Sequence, residues 1–311
     1  MDSFFEGKKV LITGGSGFVG RHLVSRLLEL KSRIYVTDKV NLFAHQPEVT
    51  FFNLDVVKYN EVKSVIHSVR PNFIFHLAAI VTAAREFNLI DEMIEVNLRG
   101  STNILRAIDG LNDLECMINF GTCEEYGNQE RQFDEVLREE PASPYAILKL
   151  TTSRFCNMFS GMFKIPIITI RPANLFGPGQ AKDKFIPYTI LKCLKNDPID
   201  MTYGEQKRNF IYIDDFINGV LLIAEKERKL AQIYNIGSES SVSLRSVVEL
   251  IKQMLDSQSV INFGALNYRE NEMMAFDVNI QKIINLGWKP EYTLLLGLKR
   301  TAQFYQSMGV E

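Results

Sequence analysis

The run Thr13-Gly14-Gly15-Ser16-Gly17-Phe18-Val19-Gly20 constrains the fold of this chain more than any other segment. Before it lies an apolar stretch, Lys8 to Thr13, that reads as a buried strand. After it Val19, Leu23, Leu27 and Leu30 recur at helical spacing on one face. A strand that passes through glycines straight into a helix leaves the first helical amides unpaired and aims the positive end of the helix dipole at the turn. Gly14, Gly17 and Gly20 form a GxxGxxG array, whose missing Cβ atoms permit a tight turn and the close approach of a pyrophosphate. These glycines, with Phe18 and Val19 between them, are the candidate phosphate-binding residues. The competing reading, a glycine-rich turn without a ligand, is disfavoured by the strand and helix on either side.

Short β-branched runs and longer amphipathic ones keep alternating. Strands fit Arg33 to Asp38, Val49 to Leu54, Asn72 to Leu77, Glu115 to Phe120 and Pro166 to Arg171, with helices at Tyr59 to Val69, Asp91 to Ile108 and Ser143 to Phe163. The pattern predicts an α/β fold, a Rossmann-type doubly wound parallel sheet with a smaller, interleaved C-terminal α/β lobe. Beyond Pro172 the regularity weakens, punctuated by Pro178, Pro187 and Pro198. A β-like segment near Phe210 to Ile213, a helix from Asp214 and a strand Gln232 to Ile236 are expected to return to the main sheet. The expected dinucleotide domain is therefore 1–178 with 208–237, and the second lobe 179–207 with 238–311.

Three further positions belong to the cofactor half. Asp38 ends the second strand, where a carboxylate accepts hydrogen bonds from adenosine ribose hydroxyls and repels a 2'-phosphate, which favours NAD. Lys39 beside it offsets that repulsion and leaves NADP open. Asp55 and Val56 follow the third strand, where a side chain meets an adenine edge or, on the competing reading, solvent. Leu77, Ala78 and Ala79 end the fourth strand with small residues that let the backbone approach a dinucleotide. His76 reads as a packed strand histidine.

Ser143-Pro144-Tyr145-Ala146-Ile147-Leu148-Lys149 reads as a helix start, with Ser143 as N-cap and Pro144 at the first helical position. Tyr145 and Lys149 then share one face. A phenol ionises near pH 10, so it needs cationic neighbours, here Lys149 and a nicotinium, to act as a base. Thr122, after the fifth strand, supplies a hydroxyl to hold the reacting oxygen. An amphipathic helix carrying this spacing without function is the alternative.

Composition sets the limits. The 311 residues carry 35 Lys and Arg against 37 Asp and Glu, a net charge of −2, so no global field draws the chain to nucleic acid or anionic lipid. Cys116, Cys123, Cys156 and Cys193 show no CxxC pairing, which predicts reduced, buried thiols and no metal site. No apolar stretch approaches the roughly 18–20 residues of a membrane span, and no apolar leader precedes the first strand. The expectation is a cytoplasmic enzyme.

These motifs, together with Arg171-Pro172-Ala173-Asn174-Leu175-Phe176-Gly177-Pro178-Gly179-Gln180 and Arg208-Asn209-Phe210-Ile211-Tyr212-Ile213-Asp214-Asp215, resemble the extended short-chain dehydrogenase/reductase family, also called the NAD-dependent epimerase/dehydratase family. The resemblance covers nearly the whole chain. It implies a nucleoside-diphosphate sugar substrate, Tyr145 as acid/base, Lys149 as its electrostatic partner and ribose anchor, and Thr122 as the hydroxyl partner. It implies also that Asn174 and Arg208 contact the substrate, Arg208 at the diphosphate, and that the chain forms a homodimer through helices 91–108 and 143–163.

Dehydratases of the dTDP-glucose type carry Thr-Asp-Glu where this chain has Thr122-Cys123-Glu124. Mannose-type dehydratases carry Thr-Ser-Glu, which keeps Glu124 as a candidate catalytic residue. The double Glu most resembles GDP-4-keto-6-deoxymannose reductases, so a 4-ketosugar reductase is expected first. A 4-epimerase retaining NAD, a 4,6-dehydratase and a silent dinucleotide-sensing scaffold are the alternatives.

Overall fold

The computed structural model describes residues 3–82 and 87–309. The remaining positions, which the expected domain limits take in, lie outside the described residues. The strands and helices of the first part are β1 (Lys9–Thr13), α1 (Phe18–Glu29), β2 (Arg33–Asp38), β3 (Val49–Asn53), α2 (Tyr59–Val69), β4 (Phe73–His76), α3 (Ile90–Met93), α4 (Ser101–Ile108), β5 (Cys116–Phe120), α5 (Pro144–Phe163) and β6 (Ile167–Pro172). Then come β7 (Asn174–Phe176), α6 (Phe185–Lys195), β8 (Ile199–Met201), β9 (Lys207–Arg208), β10 (Phe210–Tyr212), α7 (Ile213–Lys226) and β11 (Gln232–Ile236). The last elements are β12 (Val242–Ser243), α8 (Leu244–Met254), β13 (Ile261–Phe263), α9 (Gln281–Asn285) and α10 (Leu294–Ser307).

Seven strands form one sheet in the order β11-β6-β5-β4-β1-β2-β3. The pairs from β3 through β6 are parallel, with Thr13 in register with His76 and Thr37. This is the doubly wound order of a Rossmann-type fold, with its switch point between β1 and β4. Every residue of β4 and β5 is buried, as strands covered on both faces require. Helix α1 buries Leu23 and Leu27 completely, each contributing about 1.5–3 kcal/mol. All four cysteines are free and buried.

The expected single helix Asp91 to Ile108 is in three pieces. Between α3 and α4 the turn widens to a π-helix, Ile94–Gly100. Asn97 lies inside it, and its side-chain amide takes both main-chain groups of Ile80, Nδ2 donating at 3.0 Å and Oδ1 accepting at 2.7 Å. The carbonyl of Asn97 then accepts from the hydroxyls of Ser101 (2.6 Å) and Thr152 (3.1 Å). A widened turn releases a carbonyl from the helical ladder, and these hydroxyls occupy it.

The chain divides into two compact units, one of Met1–Gly127, Arg138–Pro172 and Ile217–Tyr234, the other of Asn128–Leu137, Ala173–Phe216 and Asn235–Glu311. Of the segment 208–237 assigned to the first domain by sequence, only Ile217–Tyr234 lies in the first unit. Strand β11 joins the main sheet, but β10 does not. It pairs in parallel with β7, because Phe176 packs on Phe210 and Tyr212 at ring distances of 6.3 and 5.6 Å. Gly297 of α10 admits that cluster, since a Cβ there would meet Phe176 at 2.7 Å. Asp215 anchors the same unit by accepting the amides of Glu291 (2.8 Å) and Tyr292 (2.9 Å).

Among the described residues, no helix is long and apolar enough to cross a membrane. Among the same residues, no group of three His, Cys, Asp or Glu is placed to hold a metal ion.

Candidate active site and cofactor cradle

Close packing accounts for two of the three motif glycines. Gly14 has φ +69°, and a Cβ there would stand 2.6 Å from the amide nitrogen of Ala78. A Cβ on Gly20 would meet the Gly15 carbonyl at 2.5 Å. Gly17 differs, since its Cβ would approach only the Gly14 carbonyl, at 3.2 Å. It is also the N-cap of α1 and offers that helix no side-chain cap. Phe18 and Val19 begin α1 and are half-buried.

Asp38, at the end of β2, accepts the amide of Ser16 within the glycine turn at 3.0 Å and that of Lys39 at 2.7 Å. The Lys39 ammonium lies 2.8 Å from Asp55. Burial raises the Asp55 carboxyl, but Lys39 and the Val57 amide outweigh it and hold the group below its ordinary range. Val56 packs its side chain in the core with Val62 and Ile104, and its carbonyl accepts from Asn103 at 3.0 Å. The turn therefore presents the Asp55 carboxylate, paired with Lys39, and turns the Val56 side chain into the core.

Beyond β4, Leu77, Ala78 and Ala79 are half-buried next to the glycine turn, Leu77 donating to the Thr13 carbonyl at 3.0 Å. His76 is buried beneath them. Its Nδ1 meets the Thr13 hydroxyl at 2.7 Å and its Nε2 the Ser101 hydroxyl at 2.8 Å. Because Ser101 donates to the Asn97 carbonyl, the hydrogen-bond pattern assigns the proton to Nε2. Burial and then the charge of Lys149 push the imidazole down to about 3, so it is neutral.

Thr122 caps the short 3-10 turn Cys123–Tyr126. Its hydroxyl accepts the Glu124 amide at 3.2 Å, and its own amide donates to Glu125 Oε1 at 3.0 Å. Helix α5 begins as expected, the Ser143 hydroxyl accepting the Ala146 amide at 3.1 Å with Pro144 in the first turn. Tyr145 is buried on it, with the Thr122 side chain near enough to act on its phenol. The structure thus brings Thr122, Glu124, Tyr145 and Lys149 into one region of the first unit.

The expected acidification of the phenol by Lys149 is not what the protein alone produces. Burial raises the Tyr145 phenol above its ordinary value, the carboxylates of Glu124 and Glu125 raise it further, and only the Thr122 side chain opposes them. The Lys149 ammonium is turned to the Phe120 carbonyl, 2.7 Å away. Burial pulls its own pKa down to about 8 against the charges of Glu125 and Cys156.

Cys123 is fully buried and its thiol donates to the Arg171 carbonyl at 3.3 Å. It faces the interior and supplies no acid to a ligand. Glu124 is partly exposed and is the leading charge acting on Tyr145.

Two residues named as substrate ligands lie in the second unit. Asn174 donates through Nδ2 to the Asn209 carbonyl at 3.3 Å. Arg208 is paired with Glu272 and donates to the carbonyls of Lys207 (2.8 Å) and Met273 (2.7 Å), so its charge is already compensated.

Sequence reasoning missed Glu125, Arg171 and Glu139. Arg171 and Glu125 are completely buried and paired at 2.8 Å, and Arg171 also reaches Glu139 at 2.6 Å. Burial pushes the Glu125 carboxyl up, while Arg171 and the donors Thr122 and Ser153 pull it back. The signal was present: Thr122-x-x-Glu125 has the spacing of a capping box.

Over residues 10–237 the chain matches the family described as NAD dependent epimerase/dehydratase family. Human dTDP-D-glucose 4,6-dehydratase is 28% identical over 318 residues, covering 96% of this chain and 90% of that protein. The CDP-abequose synthase of Salmonella muenchen is 28% identical over 296 residues, 94% of this chain and 96% of its own length. Among solved structures, UDP-glucose 4-epimerase from Thermotoga maritima, determined with UDP-glucose, shares the fold with a TM-score of 0.90 at 23% identity, covering 96% of this chain and 99% of the other.

Proposed function

The chain belongs to the NAD dependent epimerase/dehydratase family, and from that premise we propose that it is a nucleotide-sugar 4,6-dehydratase. The observation that carries the reading is Glu124, a partly exposed carboxylate in the short turn that Thr122 caps. The relatives named above support the dehydratase and epimerase alternatives better than the 4-ketosugar reductase that the sequence put first.

The residues present fit a dinucleotide. Packing within the protein requires Gly14 and Gly20, and a Cβ at Gly17 would stand 3.2 Å from the Gly14 carbonyl. Gly17 offers the N-terminus of α1 no side-chain cap, which leaves its first amides for an approaching pyrophosphate. Gly14, Gly17 and Gly20 with Phe18 and Val19 would hold the phosphates, Asp38 the adenosine ribose, Asp55 and Val56 the adenine, Leu77 to Ala79 the far face and Lys149 the second ribose. NAD held there would supply the hydride acceptor, and later the hydride donor, for the sugar.

In this reading the positive nicotinamide beside Lys149 would favour the Tyr145 phenolate against the burial and carboxylates that raise it in the protein alone. The phenolate receives the proton of the C4 hydroxyl, with the Thr122 hydroxyl holding that oxygen in line. The C4 carbonyl makes the C5 proton acidic. Glu124 takes it and delivers it to the C6 oxygen, which leaves as water, so one carboxyl serves both steps. The hydride removed from C4 would then be added at C6 and a solvent proton at C5, giving the 4-keto-6-deoxy sugar. Buried Cys123 provides no second acid. Asn174 and Arg208 would meet the nucleoside diphosphate, Arg208 by exchanging Glu272 for phosphate oxygens.

A 4-epimerase is the second reading, favoured by that same absence of an acid at Cys123. A homodimer is proposed with either, because α5 exposes Ile147, Met158 and Met162 along its length. The test incubates the purified protein with GDP-, CDP-, UDP- and dTDP-hexoses and follows products by mass. A product lighter by one water supports the dehydratase, an isomer of equal mass the epimerase, and unchanged substrate contradicts both.

A further inference from the structure

We infer that Glu125 is the positioning residue of this site: its carboxylate ties the Thr122 main chain to the helix that carries Tyr145, and so keeps the two hydroxyls together. The inference rests on the proposed roles of Thr122 and Tyr145. Glu125 Oε1 accepts two donors from different elements, the Thr122 amide at 3.0 Å and the Ser153 hydroxyl at 3.1 Å. Ser153 lies on α5 at the same helical spacing that relates Tyr145 to Lys149, and it shares its one hydroxyl proton between Glu125 and the Lys149 carbonyl, 3.0 Å away. One oxygen therefore joins the end of the β5 segment to the face of α5 that presents Tyr145 and Lys149.

The opposite oxygen is fixed from below. Arg171 on β6 donates its Nε to Glu125 Oε2 at 2.8 Å, and both side chains are wholly buried. Glu139 takes the next nitrogen of the guanidinium at 2.6 Å. The chain makes room for the arrangement at Gly121, where a Cβ would stand 2.3 Å from Glu125 Oε1. A helix cap alone needs only the Thr122 amide. The reach to Ser153 and Arg171 exceeds that need, and apolar residues can serve stability as well as a buried ion pair does. Geometry is what this pair adds.

The experiment compares the wild type with Ser153→Ala, which cuts the tie to α5 and leaves the cap and the Arg171 pair in place. The kcat is expected to fall about tenfold or more, with KM and NAD affinity within about twofold and melting within a few degrees. An unchanged kcat overturns the inference, and so does a loss matched in NAD affinity and melting. Glu125→Gln, which keeps the reach and the acceptor oxygen, is expected to retain more kcat than Glu125→Asp, which keeps the charge but draws the oxygen back. The reverse order overturns it. If the wild type turns over no nucleotide sugar, the functional reading fails on its own. Crystal structures then decide: a wider separation of the Thr122 and Tyr145 hydroxyls in Ser153→Ala than in the wild type supports positioning, and an unchanged separation overturns it.

Discussion

The Lys39 ammonium lies 2.8 Å from the Asp55 carboxylate, while Asp38 next to it receives main-chain amides. Lys39 is therefore drawn toward Asp55 and neutralises little of the charge at Asp38. A 2'-phosphate on the adenosine ribose would face an uncompensated carboxylate, at a cost on the order of 1–2 kcal/mol. The chain is expected to bind NAD at least about tenfold more tightly than NADP, and Asp38→Asn to narrow that ratio by about tenfold. Titration calorimetry with both coenzymes checks this; equal affinities in the wild type would contradict it.

Lys149 gives a signature on the alkaline side. Its pKa is about 8 in the folded protein and 10.5 ordinarily. Between those values the unfolded chain binds a proton that the native protein lacks, so stability rises with pH across that window. Relative to Lys149→Met, the wild type is expected to gain on the order of 3 kcal/mol from pH 8 to 10.5. Urea unfolding of both proteins across that range measures the difference. A constant difference would show that the amine is not held at a low pKa.

His76 acts on the acid side. Its folded pKa of about 3 lies below the ordinary 6.5, so its contribution is present above pH 6.5 and lost as the pH falls toward 3. About 2 kcal/mol should be gone by pH 5. His76→Leu, which strands the hydroxyls of Thr13 and Ser101, is expected to cost about 2–4 kcal/mol at pH 7.5 and to flatten the acid dependence. Denaturation midpoints at pH 7.5 and 5 test both effects.

The exposed stripe on α5 has a direct physical test. Met158 and Met162 are half or more exposed on a long helix, as apolar side chains covered by a second copy would be. Sedimentation should give a dimer for the wild type and a monomer for Met158→Glu. A monomeric wild type would remove the proposed homodimer.

The sheet was legible because its cause is local. Buried strands of β-branched and aromatic residues, Ser143-Pro144 at a helix start and glycines between β1 and α1 each act within a few residues. What stayed hidden depends on partners far along the chain. Asn97 widens its helix through contacts with Ile80 and Thr152. Strand β10 leaves the main sheet for β7 through aromatic packing, and Glu125 is buried only because Arg171 is brought beneath it. The charges around the Tyr145 phenol in the protein alone were hidden for the same reason, since Glu124 and Glu125 act on it and the Lys149 ammonium turns to Phe120.

The most direct test of the account asks whether Glu124 handles the C5 proton. The reaction is run in deuterium oxide with whichever nucleotide hexose is turned over, and the product is read by NMR. The account predicts a 4-keto-6-deoxy product carrying solvent deuterium at C5, with Glu124→Gln abolishing its formation. A product inverted at C4 with its C5 proton retained, formed equally well by Glu124→Gln, would contradict it.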